Sequence, residues 1–231
     1  MAASLNLALV GDYRATAVAH QAIPLAIRRA ATHLDINVNV NWLPTNELAD
    51  LSAVRGSDAI WVVPGSPYVN DEAVFATLRW AREHHKPLLG SCGGFQYAVI
   101  EYARNVLGWH DASHAETDKG GRMVIAPLSC SLVEQRGVVR FAPGSRIAAA
   151  YGAQSGDEGY HCNFGVNPDF SEALEGKNLR ITSWDEAGDV RGIELTDHPF
   201  FVATLFQSER AALLNKNSPL VIAWLQAALR A

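Results

Sequence analysis

The chain has 231 residues, of which 48% are hydrophobic and 19% charged, a balance typical of a packed globular protein. Its formal net charge is −5 and no basic run occurs, so neither nucleic acid nor an anionic membrane surface is expected as a partner. The first residues lack a basic start, and no run approaches the roughly 18 apolar residues of a membrane span. We therefore expect no signal peptide, no membrane anchor and a cytoplasmic location.

The first half of the chain alternates short apolar runs with amphipathic stretches, the pattern of a parallel sheet covered by helices. In chain order it predicts strand 5–10, helix 20–34, strand 37–43, strand 58–63, helix 71–84, strand 87–90 and helix 95–107. The second half predicts strands 122–126, 131–134, 179–184, 190–195 and 200–206, and a closing helix 220–229.

A long polar loop, 109–121, separates these halves, and loops of that length are usually functional. No linker rich in Pro, Gly or Ser divides the chain, so we predict a single domain over residues 1–231. Its predicted fold is α/β and flavodoxin-like, a doubly wound, mostly parallel sheet with additional antiparallel strands.

The cysteines are Cys92, Cys130 and Cys162. An odd, sparse set without CxxC spacing argues against a disulfide framework and against a zinc site, and it suits a reducing compartment. Cys130 is expected to be a packed small residue, and Cys162 a candidate substrate contact. No histidine or cysteine pair has the spacing of a helical metal site, so neither a metal nor a cofactor is expected.

The strongest local motif is Gly90-Ser91-Cys92-Gly93-Gly94-Phe95-Gln96, which follows an apolar strand and opens a helix. Its G-x-C-x-G form matches that of a nucleophile elbow, in which a strained turn displays the nucleophile between strand and helix. A helix N-terminus favours thiolate over thiol, and its free N–H groups can stabilise an oxyanion. Cys92 is therefore the predicted nucleophile; the alternative is a small buried residue in a glycine-rich turn.

The chain resembles the class I glutamine amidotransferases, in particular the glutaminase domain of CTP synthase. The similar segments are Leu7–Tyr13, Asp58–Gly65, Arg79–Arg104, Asn163–Asn167 and His198–Glu209. The resemblance implies hydrolysis of the glutamine side-chain amide by a cysteine, with a histidine as acid and base and a glutamate that orients the histidine.

Carried onto this sequence, the resemblance makes Cys92 the nucleophile and Glu209 the acid of the triad. Gly65 belongs to the oxyanion loop, and backbone N–H groups near Gly65 and Gly93 are expected to form the oxyanion hole. The remaining candidate substrate contacts are Ser66, Gln96, His114, Glu116 and Tyr160. For Glu116 the alternative is a solvated loop carboxylate.

Three departures from the family pattern stand out. The triad histidine is replaced by Gln207, whose amide cannot serve as a general base, although it can orient other groups. Asn163 stands where the family has an arginine that clamps the substrate's α-carboxylate. No P-loop occurs, so CTP synthesis by this chain alone is not expected.

Two explanations remain open, a catalytically degenerate domain that binds a metabolite or partner, and a cysteine hydrolase acting on glutamine or another small amide. In the second, His161 is the leading candidate for the base and His114 the next; His20 is expected at the surface. A third possibility is a glutaminase subunit that meets a separate synthetase subunit. The sequence leaves a homodimer open as well.

Overall fold

The computed structural model describes residues 2–117 and 120–231, so Asp118 and Lys119 of the predicted loop 109–121 lie outside the described residues. The strands are β1 Ser4–Val10, β2 Asn37–Leu43, β3 Ala59–Val62, β4 Leu88–Ser91, β5 Ala112–His114, β6 Arg122–Pro127, β7 Gln135–Phe141, β8 Ser155–Tyr160, β9 Phe164–Val166, β10 Leu179–Asp185, β11 Val190–Leu195 and β12 Phe201–Thr204. The α-helices are α1 Val18–Leu34, α2 Ser52–Arg55, α3 Asp71–Glu83, α4 Gly93–Asn105, α5 Arg146–Tyr151, α6 Pro168–Leu174 and α7 Pro219–Ala228.

A nine-stranded sheet in the order β2-β1-β3-β4-β12-β11-β10-β7-β8 forms the centre of the described structure. Its first five strands pair in parallel, in the order 2-1-3-4-5 of a flavodoxin-like sheet. The remaining strands continue it antiparallel. The predicted α/β class, a mostly parallel sheet with added antiparallel strands, is confirmed.

Helices cover the parallel strands, which explains why those strands read as continuous apolar runs. α1 packs with α7, while α3 packs with α4. Strands β3 and β4 are buried along their whole length. At the centre of the core, the Trp61 and Trp224 rings meet edge to face at 5.6 Å. Because both faces of these strands are buried, their sequences lack the alternation of polar and apolar residues that a half-exposed strand shows.

Side chains define where several helices begin. The Asn70 side chain accepts from the Ala73 N–H at the start of α3, and Ser218 caps α7 through the Val221 N–H. In contrast, α4 begins after Cys92 without a side-chain cap. The first N–H groups of α4 are therefore not occupied by a cap and lie at the predicted nucleophile turn.

The second half departs from the sequence prediction in several places, since α5, α6 and β9 were not predicted. Residues 131–134, predicted as a strand, form a turn that leads into β7. Strands β7 and β8 were not predicted, because their sequences QRGVVRF and SGDEGY are polar and rich in glycine; they form by pairing with each other as an antiparallel hairpin. Strands β5, β6 and β9 form a small second sheet against α4.

Among the described residues, no helix combines the length and apolar character needed to cross a bilayer.

Candidate functional site

The turn between β4 and α4 holds Cys92 in a left-handed backbone conformation, with φ of 51°. Its N–H donates to the Thr204 carbonyl at 2.9 Å, which ties the turn to the end of β12. The turn also lies directly against β3, because a Cβ on Gly94 would stand 2.2 Å from the Val62 carbonyl oxygen. Only glycine fits at position 94, so the motif is required by the packing of the turn.

The loop after β3 lies beside this turn. A Cβ on Gly93 would come within 2.9 Å of the Ser66 amide nitrogen, so the Ser66 backbone packs directly against the start of α4. Two donors hold the loop in place. The His20 Nε2 lies 2.6 Å from the Pro64 carbonyl oxygen, and Arg14 donates to the Gly65 carbonyl at 2.8 Å. The peptide groups of this loop are therefore held in place before any substrate arrives.

His20 was expected at the surface, but it is buried. Its Nδ1 accepts from the Arg14 N–H at 2.8 Å, which leaves Nε2 as the protonated nitrogen that donates to Pro64. Burial lowers the pKa of His20, so the ring is neutral near pH 7 and acts as a brace for the loop.

Gln96, one turn into α4, ties the site to the polar loop. Its side-chain oxygen accepts from Ser66 Oγ at 3.0 Å and from His114 Nε2 at 3.2 Å, and its amide donates to the Phe164 carbonyl at 2.9 Å. The His114 Nδ1 accepts from the Glu116 N–H, so both ring nitrogens are occupied. Burial lowers the pKa of His114 to about 4, and the neutral ring therefore orients Gln96 without offering a free nitrogen to Cys92.

Glu209 and Gln207 do not form a working pair with each other. The Glu209 side chain is fully buried, and its Oε1 accepts from Ser91 Oγ at 3.2 Å. Burial raises the pKa of Glu209 to about 8, so the carboxyl is largely protonated near pH 7. The Gln207 side-chain oxygen instead accepts from Arg210 at 3.0 Å.

His161 pairs with a different carboxylate, that of Glu134. Because Gln135 pairs with Tyr160 at the end of the β7–β8 hairpin, Glu134 and His161 lie opposite each other just beyond it. The His161 Nδ1 is 2.8 Å from Glu134 Oε1, and Arg210 forms an ion pair with the other Glu134 oxygen. Arg210 and then His161 lower the pKa of Glu134, so its carboxylate only accepts, and His161 must donate from Nδ1. The Nε2 of neutral His161 then carries the lone pair.

Cys92 and Cys162 lie with their sulfur atoms in direct bonding contact and their Cα atoms 6.7 Å apart. The expectation that the cysteines form no disulfide is wrong for this pair, since the chain folds two residues 70 positions apart onto the same spot. The Cys92 sulfur also lies 3.5 Å from the His161 carbonyl oxygen. Cys130 is free and exposed, contrary to its expected packed position.

A cavity of about 390 Å³ opens beside the Cys92 sulfur. Its lining includes these predicted site residues: Gly65, Ser66, Cys92, Gln96, Glu116, His161 and Gln207. Four other predicted site residues do not line the cavity: Gly93, His114, Glu209 and Tyr160. The first three lie behind the lining, and Tyr160 is buried with its ring against Phe206. The cavity has mixed charge, with cations from Arg14 and Arg210 and an anion from Glu116. Partial burial raises the pKa of Glu116.

Sequence reasoning missed Arg14, His20, Glu134 and Arg210. Arg14 and His20 follow β1, so their position at the carboxyl end of a parallel strand was a usable signal. Glu134 and Arg210 join across 76 residues, and no local pattern indicates that contact.

A cysteine held at a strand-to-helix turn, beside a cavity at the carboxyl edge of a parallel sheet, defines an α/β protein with the backbone turn of the G-x-C-x-G motif. A sequence model described as "Glutamine amidotransferase class-I" matches residues 19–207. The chain belongs to the class I glutamine amidotransferase family, and the resemblance stated from the sequence is confirmed.

CTP synthases are among the relatives of this chain. The enzyme of Archaeoglobus fulgidus is 31% identical over 97% of this chain and 44% of its own length, and that of Halobacterium salinarum is 33% identical over 97% and 42%. The chain therefore spans less than half the length of these relatives. The structure of the Trypanosoma brucei CTPS glutaminase domain with bound acivicin superimposes with a TM-score of 0.87 at 23% identity, covering 98% of this chain and 94% of that one.

Proposed function

We propose that the chain is a cysteine amidohydrolase that hydrolyses glutamine or a similar small amide through a thioester at Cys92. The observation that carries this proposal is the Cys92 turn itself, which faces a cavity with the Ser66 N–H beside it. Membership of the amidotransferase family supports the reaction class. The substrate and the role of each residue belong to the proposal.

Substrate binding would use the mixed charges of the cavity. Glu116 would receive an α-amino group, as the resemblance implies. Because Asn163 replaces the family's arginine, the α-carboxylate would instead meet the guanidinium groups of Arg14 and Arg210. The side-chain amide of the substrate would then point toward Cys92, between the two charged ends of the cavity.

The first step would be attack of the Cys92 thiolate on the amide carbon. The N-terminus of α4 favours the thiolate, and the N–H groups of Ser66 and Gly93 would stabilise the oxyanion. The C–N bond breaks, and His161 Nε2 would pass the proton that it took from the Cys92 thiol to the leaving nitrogen, which departs as ammonia. The products of this step are ammonia and an acyl thioester on Cys92.

The second step would be attack of water on the thioester, which breaks the C–S bond, returns the thiolate to Cys92 and releases the product as a carboxylate. His161 is the candidate base, because Glu134 holds its Nδ1 proton and leaves Nε2 free. Glu134 lies at φ of 54°, a left-handed conformation that costs free energy for a non-glycine residue and marks a position held by its surroundings. The pair Glu134 and His161 would thus replace the acid and histidine of the family triad.

The test is covalent labelling and ammonia release in a Cys130→Ser background, which removes the exposed thiol. After reduction, a diazoketone analogue of glutamine should label Cys92 alone, and glutamine should protect it. Cys92→Ser should abolish both labelling and ammonia release, a loss on the order of 10⁴-fold or more. Labelling of Cys162 in preference to Cys92, or no ammonia release from any small amide, would defeat the proposal.

A non-catalytic binding domain is the second candidate, favoured by Gln207 at the triad position and by the raised pKa of Glu209. In that case glutamine would protect Cys92 without being hydrolysed. A glutaminase subunit of a separate synthetase is compatible with the first proposal, since the CTP synthases matched here carry more than half of their length elsewhere. Ammonia release that rises when an ATP-using partner co-purifies would support it.

A further inference from the structure

The second sulfur in the cavity, that of Cys162, takes no part in the hydrolysis steps proposed above. Cys162 lies between β8 and β9, while Cys92 lies between β4 and α4. The two sulfurs touch, and the Cα separation of 6.7 Å falls inside the range that a disulfide spans without backbone movement. A hydrogen bond anchors each backbone, from Cys92 N–H to the Thr204 carbonyl and from the Leu132 N–H to the Cys162 carbonyl.

Access to the pair is limited to small molecules. Cys92 is 7% exposed and Cys162 is 4% exposed, yet both line the cavity of about 390 Å³. A protein oxidoreductase must bring its own sulfur into contact with the disulfide, and the low exposure of both cysteines disfavours that approach. A small thiol or disulfide reaches both sulfurs through the cavity.

We propose that Cys92 and Cys162 form a redox-active dithiol–disulfide couple that exchanges with a low-molecular-weight thiol carrying both a carboxylate and an amino group. Arg14 and Arg210 match the carboxylate, and Glu116 matches the ammonium group. The couple does not depend on amide hydrolysis; only its consequence for that reaction rests on the proposed function.

The exchange has two balanced steps. The Cys92 thiolate attacks one sulfur of the small disulfide, its S–S bond breaks, and one small thiolate leaves. Cys162 then loses its proton, and its sulfur attacks the Cys92 sulfur of the mixed disulfide, expelling the second small thiolate. Two cysteine thiols are oxidised, one small disulfide is reduced to two thiols, and the protons end on those thiols.

Cys92 is the attacking sulfur because it stands at the N-terminus of α4, where the thiolate is favoured, whereas Cys162 precedes a short strand. In the disulfide state Cys92 has no free sulfur to form a thioester. Oxidation would therefore switch off amide hydrolysis, and a small thiol would restore it.

The test uses the full chain with Cys130→Ser, equilibrated with cysteine and cystine at a series of ratios. After an acid quench and alkylation, intact mass spectrometry counts the free thiols. The two thiols should disappear together and return with excess cysteine. A parallel series with 2-hydroxyethyl disulfide, which lacks both charges, should oxidise the pair at least about tenfold more slowly, the contribution of one charge-assisted hydrogen bond.

Two variants separate the steps. Cys162→Ser should accumulate one cysteine adduct on Cys92, because the resolving sulfur is gone, and Glu116→Gln should reduce the preference for cystine. Thiols that stay reduced at every ratio, or stable mixed disulfides in the chain that keeps Cys162, would overturn the couple. A reversible disulfide accompanied by no ammonia release in either state would support the couple and defeat the proposed hydrolysis.

Discussion

The cavity has two walls of different construction. One, the turn wall, is lined by Cys92, Ser66 and Gln96, with Gly93 and Gly94 behind them. The other, the hairpin wall, is lined by His161, Gln207 and Arg210, with Glu134 behind them. The turn wall is made mainly by backbone packing of parallel strands, whereas the hairpin wall is made by side chains at strand ends.

The two walls would serve different tasks in a thiol hydrolase: one presents the sulfur, and the other moves a proton. Presenting the sulfur depends on contacts that leave no room for a larger residue, as at Gly94. Moving a proton depends on which side chains meet at the rim, and those can be exchanged without rebuilding the sheet. In the proposed mechanism, a Gln at position 207 can therefore coexist with an intact turn at Cys92, because His161 supplies the base.

The largest expected effect tests proton transfer on the hairpin wall. His161→Gln should lower kcat by about 10²–10⁴, the usual cost of losing a general base. Glu134→Gln should lower kcat by roughly tenfold. That loss is expected because Glu134 accepts the Nδ1 hydrogen bond that orients the His161 ring.

The measurement is the pH profile of ammonia release, with exposed His110→Gln as the control. An unchanged profile in His161→Gln would show that the base lies elsewhere. The assignment of proton transfer to the hairpin wall would then be wrong.

The next effect tests the turn wall. Gly94→Ala would place a Cβ 2.2 Å from the Val62 carbonyl oxygen, so we expect a loss of about 3 kcal/mol or more in the free energy of unfolding. Gly137→Ala is the matched control, because a Cβ there meets no atom within 4 Å. Urea denaturation measures both. Equal stability of the two variants would contradict the tight packing of the turn.

A smaller effect concerns the buried carboxyl of Glu209, whose pKa is raised to about 8. The folded state then holds a proton that the unfolded state releases above its ordinary pKa near 4.5. The stability from the neutral carboxyl is therefore complete at low pH and is lost as the pH rises toward 8.

Relative to Glu209→Gln, the wild type should lose roughly 2–3 kcal/mol in the free energy of unfolding between about pH 5 and pH 7. Urea midpoints across that range give the comparison, with exposed Glu172→Gln as the control. A constant difference between wild type and Glu209→Gln would mean that the carboxyl is charged when folded.

The smallest expected effect tests whether a base at position 207 can replace the base on the hairpin wall. Gln207→His should raise the turnover of the His161→Gln variant by about tenfold, the free-energy equivalent of about 1.4 kcal/mol, by returning a base to the family position. The recovery should stay partial, because the Glu209 carboxyl is bonded to Ser91 and a His at 207 would have Arg210 as its neighbour. Full recovery would show that Glu209 still orients that position.

The sequence predicted most of the parallel half to within two residues, since each strand there is a short apolar run between turn residues. It failed at β7 and β8, whose stability comes from pairing with each other and with β10. Glu134 was placed in a strand, whereas it ends a turn just before β7, and its contact with His161 follows from the register of that hairpin.

The residues of the candidate site also divide into those that the sequence could place and those that it could not. The positions of Cys92, Ser66 and Gln96 at the cavity could be predicted, the first from its local turn motif and the other two from the family resemblance. The roles of His114 and Tyr160 could not, since burial decides them, one as a neutral brace for Gln96 and the other as a packed ring. The single-domain organisation stays a prediction.

From its sequence alone, this chain specifies a displayed thiol, because strand, glycine turn and helix follow each other within a few positions. Tertiary structure decided what that thiol and the nearby histidine meet. Cys162 comes from 70 residues away and Glu134 from 27 residues before His161. Contacts at such distances depend on sheet order and strand register, which local spacing does not encode.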